Sequence, residues 1–376
     1  MRIVSMGGGT GLSTLLRGLK RYLPEDWKTD LLEAVLERAA GPSARRVTEL
    51  TAVVTVSDDG GSSGRLRREF QVLPPGDIRN CMVALSEDEA LLSRLFQYRF
   101  PSGKGLRGHS FGNLFLTALS AITGDFPEAV KLSGEVLAIR GAIVPSTTAN
   151  VTLEAVLEGG RIVRGETNIS RSRRRIQRIR LKPARCLPMP QTLEAIERAD
   201  AITLGPGSLF TSLIPNLLVK GMPAALRKAR AAKIYICNLM TQPGETTHFT
   251  AAEHLRAIYD HCGAEVFDYV LVNTAPVSRT ARKRYLARQS QPVEVNRAEL
   301  EAMGVRVIEG DLIAEERSGT TPGQRVRHHP DKLARAILEI GASHHYWKDS
   351  VGPTEALRAN RSPANARAAL GPRTVS

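Results

Sequence analysis

Three glycine-rich stretches contain the residue types that hold phosphate groups in proteins. They read 7-GGGTG-11, 57-SDDGGSSGR-65 and 205-GPGSLFTS-212. Glycine lets the backbone approach a phosphate closely, and the free N–H groups at the start of a following helix point toward it. We therefore predict that the first and third stretches bind a nucleotide or a diphosphate rather than form plain turns. The residues predicted to contact that ligand are Gly8, Gly9, Thr10, Gly11, Gly205, Gly207 and Ser208.

The second stretch begins with two adjacent carboxylates, Asp58 and Asp59. Adjacent carboxylates suit a hard cation such as Mg²⁺, a ribose hydroxyl group or a general base. The hydroxyl groups of Ser62 and Ser63 and the guanidinium group of Arg65 can bind anionic oxygens beside them. We predict that all five side chains face a ligand. The alternative is a solvated Asp-Gly turn followed by a basic helix.

Three further polar loops contain candidate site residues. The loop 73-LPPGDIRNCMVAL-85 puts Asp77 at the start of a helix. The loop 108-GHSFGN-113 holds His109 between glycines, with Asn113 four residues later as a predicted ligand contact; core packing or a loop hydrogen bond is the alternative for His109. The candidates for catalysis are Asp59, Asp77 and His109, and those for a Mg²⁺ site are Asp59 and Asp77. Polar side chains also crowd a later strand end, at Thr241, Gln242, Glu245 and Thr246.

Several familiar site types are disfavoured by residue spacing. The first glycine loop does not continue as GxGxxG, because Leu12 and Thr14 stand at the sixth positions counted from Gly7 and Gly9. The sequence contains no GxSxG elbow and no GxxxxGK[ST] loop. Its four cysteines lie far apart and form no CxxC pair. A standard NAD fingerprint, a serine hydrolase, a P-loop NTPase and a zinc site are therefore not predicted.

The net charge of +14 favours anionic partners such as nucleotides or phosphorylated sugars. A nucleic-acid partner is not expected, because aromatic residues make up only 5% of the chain and offer few surfaces for base stacking. The strongly basic run at residues 170–185 is interpreted first as a solvated surface element with one buried apolar stripe. A nucleic-acid or lipid patch, or part of a phosphate pocket, are the alternatives.

The elements between these motifs alternate between strands and helices. Short apolar strands are predicted at residues 2–5, 51–56, 201–205, 233–239 and 268–273. Strands that alternate with helices favour a Rossmann-like, doubly wound α/β fold with a mainly parallel sheet. In such sheets ligands bind at the carboxyl ends of the strands, where the glycine loops are found.

The predicted domain covers residues 1–344. It includes a helical insert near residues 24–47 and a small β-rich hairpin or flap near residues 151–185. Residues 345–376 lack periodicity and are predicted to be a disordered tail. No apolar run has the length of a membrane span, and the N-terminus lacks the pattern of a secretory signal. We therefore expect a cytoplasmic protein, and we also expect a homo-oligomer.

The motifs occur in the order found in one known family. Taken together, GGGTG, VTVSDDGGSSGRLR, PPGDIRNC, GHSFGNLFL, GPGSLFTSLIPNLLV and NLMTQPGET resemble the YvcK-type gluconeogenesis factors, the bacterial branch of the CofD-like superfamily. The resemblance runs from the N-terminus to about residue 341. It implies a Rossmann-like fold.

The resemblance also implies two candidate functions. The YvcK-type branch is associated with binding of nucleotide sugars, notably UDP-N-acetylglucosamine, and with cell shape and peptidoglycan precursor supply during growth on gluconeogenic carbon sources. The superfamily's 2-phospho-L-lactate transferases instead move a phospholactyl group from a guanylyl diphosphate donor to a deazaflavin alcohol with Mg²⁺. Their Asp-Asp pair and Asp loop match Asp58-Asp59 and Asp77.

An Arg-His pair near the end of the family core is tied to the sugar ligand, and Arg327-His328 matches it. We therefore expect Arg327 to contact the ligand. The family commonly has Asp after the His, often followed by a phosphorylatable Thr. Here His329 and Pro330 stand at those positions. Regulation by phosphorylation at that point is therefore not expected.

Overall fold

The computed structural model describes residues 1–24, 46–87, 90–314 and 325–350. Its centre is a seven-stranded sheet with the strand order β10-β9-β8-β7-β1-β2-β3, in which every neighbouring pair is parallel. The strands of this sheet are β1 Arg2–Gly7, β2 Glu49–Val54, β3 Ala142–Pro145, β7 Ala201–Leu204, β8 Ala232–Ile236, β9 Tyr269–Asn273 and β10 Arg306–Gly310. A second, antiparallel sheet has the order β5-β4-β6 and consists of β4 Thr152–Leu157, β5 Ile162–Arg164 and β6 Ile176–Lys182.

Helices connect and cover the strands of the large sheet. They are α1 Gly9–Lys20, α2 Gly61–Phe70, α3 Gly76–Leu85, α4 Ala90–Gln97, α5 Phe111–Thr123, α6 Phe126–Val136, α7 Glu166–Arg171, α8 Pro190–Arg198, α9 Ile214–Leu217, α10 Met222–Lys228, α11 Ala251–Cys262, α12 Arg279–Leu286, α13 Arg297–Ala302 and α14 Pro330–Ser350. A π-helical turn, Leu209–Leu213, leads into α9.

The central strands are apolar because helices cover both faces of the sheet. In β1 every residue from Ile3 to Gly7 is buried, and β7 and β8 are buried along their whole length. Helix α1 packs an apolar stripe of Leu12, Leu15, Leu16 and Leu19 into the same core. The strands with the strongest burial therefore lie in the middle of the sheet.

The strand order reverses between β1 and β7. From β1 the chain proceeds outward through β2 and β3, and later returns to β7 and proceeds through β8, β9 and β10 in the opposite direction. In doubly wound sheets such a switch point opens a crevice at the carboxyl ends of the two strands, because their connections leave on opposite sides. The glycine loops after β1 and β7 both lie at this crevice.

The predicted Rossmann-like, mainly parallel fold with a small β-rich region is confirmed. The basic run supplies strand β6, in which Ile176, Ile179 and Leu181 are buried while the charged residues between them are exposed. The second strand begins at Glu49, two residues before the predicted start. Helix α14 continues to Ser350, past the predicted end of the domain at residue 344. Most of the predicted helical insert and residues 351–376 of the predicted tail lie outside the described residues.

None of the described helices is by itself long and apolar enough to cross a bilayer. The consecutive pair Leu209–Leu217 and Met222–Lys228 reaches the apolar length together, but the two pieces are bent by 72°. Leu213, Ile214 and Leu217 in the first piece are buried in the protein core.

Candidate functional site

The two glycine loops at the switch point touch each other. Gly11, in the first turn of α1, lies so close to the loop after β7 that a Cβ atom on it would be 2.7 Å from the carbonyl carbon of Pro206. Gly9 and Gly205 have φ angles of +63° and +96°, in the left-handed region that glycine adopts without strain. The sequence therefore needs glycine here both for backbone shape and for close approach.

The loop after β7 is held in place by side chains that follow β8. Asn238 donates a hydrogen bond to the carbonyl oxygen of Gly207 at 2.8 Å and accepts a longer one, at 3.4 Å, from its N–H. Gln242 donates to the hydroxyl group of Ser208 at 2.8 Å. The sequence motif placed Gln242 at a strand end, and the structure shows what it does there.

Asp58 and Asp77 lie close together beside the first glycine loop. A Cβ atom on Gly8 would be 2.7 Å from Asp77 Oδ2, and one on Gly76 would be 2.8 Å from Asp58 Oδ2. Asp77 accepts a hydrogen bond from the N–H of Gly9 at the start of α1. Its carboxyl group thus accepts from one of the N–H groups at the start of the helix.

Burial raises the pKa values of both carboxyl groups; the charge of Asp59 raises that of Asp58 further, and the charge of Asp58 raises that of Asp77. For Asp77 the pKa rises to about 7, although the N–H of Gly9 and the guanidinium group of Arg79 oppose the increase. Desolvation is the largest cause in both cases. Two carboxyl groups whose ionised forms are both disfavoured by desolvation and by a neighbouring carboxylate favour a site for a cation or for a ligand hydroxyl group.

Asp59 has a different set of partners from its neighbour. Its Oδ1 atom accepts hydrogen bonds from the N–H and the hydroxyl group of Thr167, both at 2.8 Å. A Cβ atom on Gly165 would be 3.2 Å from the Asp59 Cγ atom. The predicted catalytic and metal-binding candidate Asp59 therefore joins the small antiparallel sheet to the crevice.

The serines at the start of α2 connect the crevice to the loop before α5. Ser63 hydrogen-bonds Asp58 and accepts a hydrogen bond from the Asn113 amide at 3.4 Å. Ser62 hydrogen-bonds His109 Nδ1 at 2.9 Å. Burial, with the positive charge of Arg65 and of Arg99, lowers the pKa of His109. His109 is thus a buried hydrogen-bond partner of Ser62.

Three of the residues predicted to contact the ligand lie farther from the centre of the crevice. Thr10 is exposed at the first turn of α1. Arg65 donates to the carbonyl oxygen of Arg107 at 2.8 Å, on the outer side of α2. Arg327 is exposed and lines a groove of about 520 Å³ between the ends of β9 and β10. Its neighbour His328 is buried against the backbone of Cys237, and burial lowers the pKa of His328 to about 4.

Two glutamates complete the cluster of carboxyl groups: Glu166, which was not predicted as a site residue, and Glu245, which belongs to one of the candidate polar loops. Glu166, at the start of α7, has its pKa raised well above the usual value by desolvation and then by the charges of Asp77 and Asp58. Glu245, in the loop after β8, is 5% exposed, and burial raises its pKa to about 7. Arg67, like Arg65, was expected to bind anionic oxygens: the charges of Asp58 and Asp59 act on it, and it donates to the carbonyl oxygen of Val151 at 2.6 Å.

The carboxyl groups at the crevice are compatible with Mg²⁺ as a cation held jointly with a ligand. Within the described ranges, no three His, Cys, Asp or Glu side chains are grouped so that they alone could hold a metal ion. Mg²⁺ is commonly bound by one or two carboxylates together with phosphate oxygens of a ligand and water. Asp58 and Asp77, which both lie beside the first glycine loop and both have raised pKa values, fit that pattern.

The volumes of the surface grooves do not by themselves show where the ligand site lies. One groove of about 820 Å³ lies beside the crevice and is lined in part by Arg173, Gly244 and Glu245. Another of about 820 Å³ lies on the far side of α1, around Arg17 and Lys20. The crevice is instead marked by its chemistry, namely two glycine loops that face several buried carboxyl groups.

Comparison with known proteins agrees with this arrangement. A family model described as 2-phospho-L-lactate transferase CofD matches residues 3–313. The chain is 44% identical to the gluconeogenesis factor of Halalkalibacterium halodurans, over 90% of this chain and 95% of that protein. It is 43% identical to the gluconeogenesis factor of Bacillus subtilis, over 90% of this chain and 98% of that protein.

A solved structure shares the fold as well as the sequence. It is a crystal structure from Bacillus halodurans described as a member of the UPF0052 family, 44% identical to this chain. The match covers 89% of this chain and 98% of that one, with a TM-score of 0.79. The agreement in sequence, length and fold shows that the chain belongs to the CofD family and, within it, to the gluconeogenesis factors.

Proposed function

We propose that the protein binds a nucleotide sugar of the UDP-N-acetylglucosamine type and acts as a regulator of cell shape and peptidoglycan precursor supply on gluconeogenic carbon sources. The observation that carries the binding proposal is the contact between the two glycine loops at the switch point. Two adjoining loops offer backbone N–H groups to two phosphates at once, which suits a diphosphate.

The sugar end of the ligand is proposed to extend toward Arg327. The chain next to Arg327 is tied to the crevice, because His328 contacts the backbone of Cys237 and the adjacent Asn238 holds Gly207. The groove lined by Arg327 has a volume of about 520 Å³, within the range that small-molecule sites occupy. A guanidinium group in this groove can make paired hydrogen bonds to phosphate or sugar oxygens.

Calorimetric titration with UDP-N-acetylglucosamine tests this proposal. We expect binding to the wild type and a roughly 10- to 100-fold weaker affinity for Arg327→Ala, the effect of losing one charge-assisted hydrogen-bonding group. Arg335→Ala is the matched control, because Arg335 is exposed on α14 outside the groove and its loss changes the net charge equally. Absence of wild-type binding, or equal affinity of the Arg327 variant, would contradict the proposal.

A second candidate function is a Mg²⁺-dependent transfer of a phosphorus-containing group from a nucleotide-linked donor. It is favoured by the raised pKa values of Asp58 and Asp77, since carboxylates in that state gain from binding a cation. When bound, Mg²⁺ would neutralise charge on the phosphate oxygens. Asp58 and Asp77 would hold the cation, and the N–H groups of the glycine loops would orient the phosphates.

The two functions differ in whether the ligand is consumed. For the transferase, we expect an acceptor alcohol oxygen to form a bond to the donor's phosphorus while the bond to the nucleoside monophosphate breaks, so that the monophosphate is released when the donor, Mg²⁺ and an alcohol acceptor are all present. We expect Asp77→Asn to reduce the rate at least 100-fold. Chromatography of the nucleotide products provides the measurement. If nucleotide-linked donors remain intact with Mg²⁺ while UDP-N-acetylglucosamine binds, the protein is a binding regulator and not a transferase.

A further inference from the structure

A short segment that contains helix α7 and connects β5 to β6 of the small sheet lies across the crevice and is held by hydrogen bonds at both ends. We call this segment, residues 165–172, the strap. At one end Thr167 donates two hydrogen bonds to Asp59, which follows β2. At the other end Ser170 donates to Glu245 Oε1 at 3.2 Å, in the loop that follows β8. Because β1 and β7 lie between β2 and β8 in the sheet, the strap spans the switch point.

The strap and the loop after β8 carry the same tripeptide. Residues 165–167 and residues 244–246 both read Gly-Glu-Thr. Gly165 and Gly244 have φ angles of +86° and +83°, so both glutamates follow a left-handed backbone turn. Gly244 also packs tightly on the strap, since a Cβ atom on it would be 3.2 Å from the carbonyl carbon of Ser172. The two turns therefore bring Glu166 and Glu245 close to each other.

Each glutamate has an oxygen atom that is buried and unsatisfied. Glu166 Oε2 and Glu245 Oε2 have no contact with solvent and no hydrogen-bond partner among the described residues. Buried polar atoms are nearly always paired in folded proteins, and unpaired ones reduce stability. Glu166 precedes Thr167, which is hydrogen-bonded to Asp59, and the charges of Asp77, Asp58 and Glu245 act on its carboxyl group, so Glu166 lies near the carboxyl groups of the crevice.

We propose that Glu166 and Glu245 form a hydroxyl-binding subsite, in which the strap holds Glu166 over ring hydroxyl groups of the ligand's ribose or sugar. The inference rests on the nucleotide-sugar function proposed above, and it assigns that ligand's hydroxyl groups to named residues. Carboxyl oxygens accept short, strong hydrogen bonds from hydroxyl groups. The unpaired oxygens then gain the partner that the protein does not supply.

The charge of the cluster decides which part of the ligand can lie there. When ionised, Asp58, Asp77, Glu166 and Glu245 repel a phosphate that no cation accompanies. The backbone N–H groups of the glycine loops, in contrast, favour phosphate. The ligand is therefore oriented with its diphosphate along the loops and a hydroxyl-bearing ring under the strap.

The test compares three ligands by calorimetry: UDP-N-acetylglucosamine, UDP and inorganic pyrophosphate. For Glu166→Ala we expect about 10- to 100-fold weaker binding of UDP-N-acetylglucosamine, because a charge-assisted hydrogen bond is lost. Glu166→Gln and Glu245→Gln keep a carbonyl acceptor, so a smaller loss of roughly 3- to 10-fold is expected. Pyrophosphate binding should not weaken in any of these variants. A loss with UDP as well assigns the contact to the ribose, and a loss with UDP-N-acetylglucosamine alone assigns it to the sugar.

Glu158→Gln is the matched control on the same small sheet. Glu158 is exposed at the hairpin between β4 and β5 and lines the outer groove beside the strap. We expect it to bind like the wild type. Weaker binding in this variant together with wild-type affinity in Glu166→Ala would put the ligand in the outer groove and overturn the inference.

Other outcomes overturn the inference for different reasons. An equal loss of pyrophosphate affinity in Glu166→Ala, or a loss that appears only with Mg²⁺, would make Glu166 a phosphate or cation contact. If the folded Glu166→Ala protein binds UDP-N-acetylglucosamine like the wild type, the subsite is refuted while the proposed function stands. If the wild type itself does not bind that ligand, both fail together.

Tryptic cleavage distinguishes the hydrogen bonds that hold the strap in place from the contact between Glu166 and the ligand. Arg171 and Arg173 are exposed at the end of the strap. Asp59→Asn weakens the hydrogen bonds from Thr167, so we expect faster cleavage there as well as weaker ligand binding. Glu166→Gln should weaken binding without faster cleavage. Wild-type cleavage rates in Asp59→Asn would show that Asp59 does not position the strap.

Discussion

Gly11→Ala is expected to weaken nucleotide-sugar binding at least 100-fold. The added Cβ atom would lie 2.7 Å from the carbonyl carbon of Pro206, so the loop after β7 must move away from α1. Displacing a binding group by about 1 Å is enough for an effect of about 100-fold on a preorganised site. The φ angle of Gly11 is not in the left-handed region, so alanine is tolerated by the backbone and the effect is purely steric. Calorimetry with UDP-N-acetylglucosamine gives the affinity.

Gly18→Ala is the control for this prediction. Gly18 lies on the same helix, and a Cβ atom there would be 2.6 Å from the carbonyl carbon of Pro330, at the start of α14. Both variants overpack a helix contact, which typically reduces stability by about 1 to 3 kcal/mol. Only Gly11→Ala does so at the switch point. If both variants lose affinity equally when folded, or if neither does, contact between the two loops is not what shapes the site.

The parts of the fold that could be predicted are those encoded by adjacent residues. The apolar strand, the glycines and the leucine stripe of α1 follow one another along the chain, and each has a local physical reason to adopt its structure. The parallel sheet then follows from alternation of strands and helices. The two glycine loops were expected at one edge because carboxyl ends of parallel strands share it.

The partners of the acidic residues could not be predicted, because they come from distant segments. Asp59 binds Thr167, which is 108 residues away along the chain. Whether a carboxylate meets a cation, a ligand or a distant backbone N–H depends on tertiary structure that residue types do not encode. The repeated Gly-Glu-Thr tripeptide was a usable signal for Glu166 and Glu245, since both copies follow a strand.

The arginines of α2 show a second limit. Arg65 and Arg67 are equivalent by composition, but residues two apart on a helix point to nearly opposite sides. Arg67 faces the aspartates and Val151, whereas Arg65 contacts the carbonyl oxygen of Arg107. Which of the two arginines faces the aspartates depends on the rotation of α2 about its axis. That rotation is set by the burial of Ser62, Ser63 and Leu66.

Asp77→Asn is expected to stabilise the ligand-free protein at pH 8. The pKa of Asp77 is raised from 3.8 to about 7 in the folded state, so between these values the folded protein binds more protons than the unfolded chain. Its stability therefore falls as the pH rises from about 4 to about 7. The amide of the variant cannot ionise. The substitution therefore removes a free-energy penalty of up to about 4 kcal/mol above pH 7, and it has no such effect below pH 4. Thermal unfolding at several pH values measures this difference.

Asp200→Asn should show the opposite sign and serves as the control. Burial alone would raise the pKa of Asp200, but hydrogen bonds from the backbone and side chain of Arg2 lower it below the usual value. Its ionised form therefore stabilises the fold, and the amide variant should be less stable than the wild type near pH 7.

The effect of Mg²⁺ on the melting temperature relates the desolvation penalty of Asp77 to its proposed role at the site. If Asp58 and Asp77 hold a cation, adding Mg²⁺ at pH 8 should raise the melting temperature of the wild type more than that of Asp77→Asn, because the variant has no repulsion left to relieve. Equal stability of the two proteins at pH 8 would show that Asp77 carries no desolvation penalty. A penalty that Mg²⁺ does not reduce would assign Asp77 to the loop N–H of Gly9 alone. A penalty that Mg²⁺ removes identifies Asp77 as a carboxylate whose stabilising partner is the added cation.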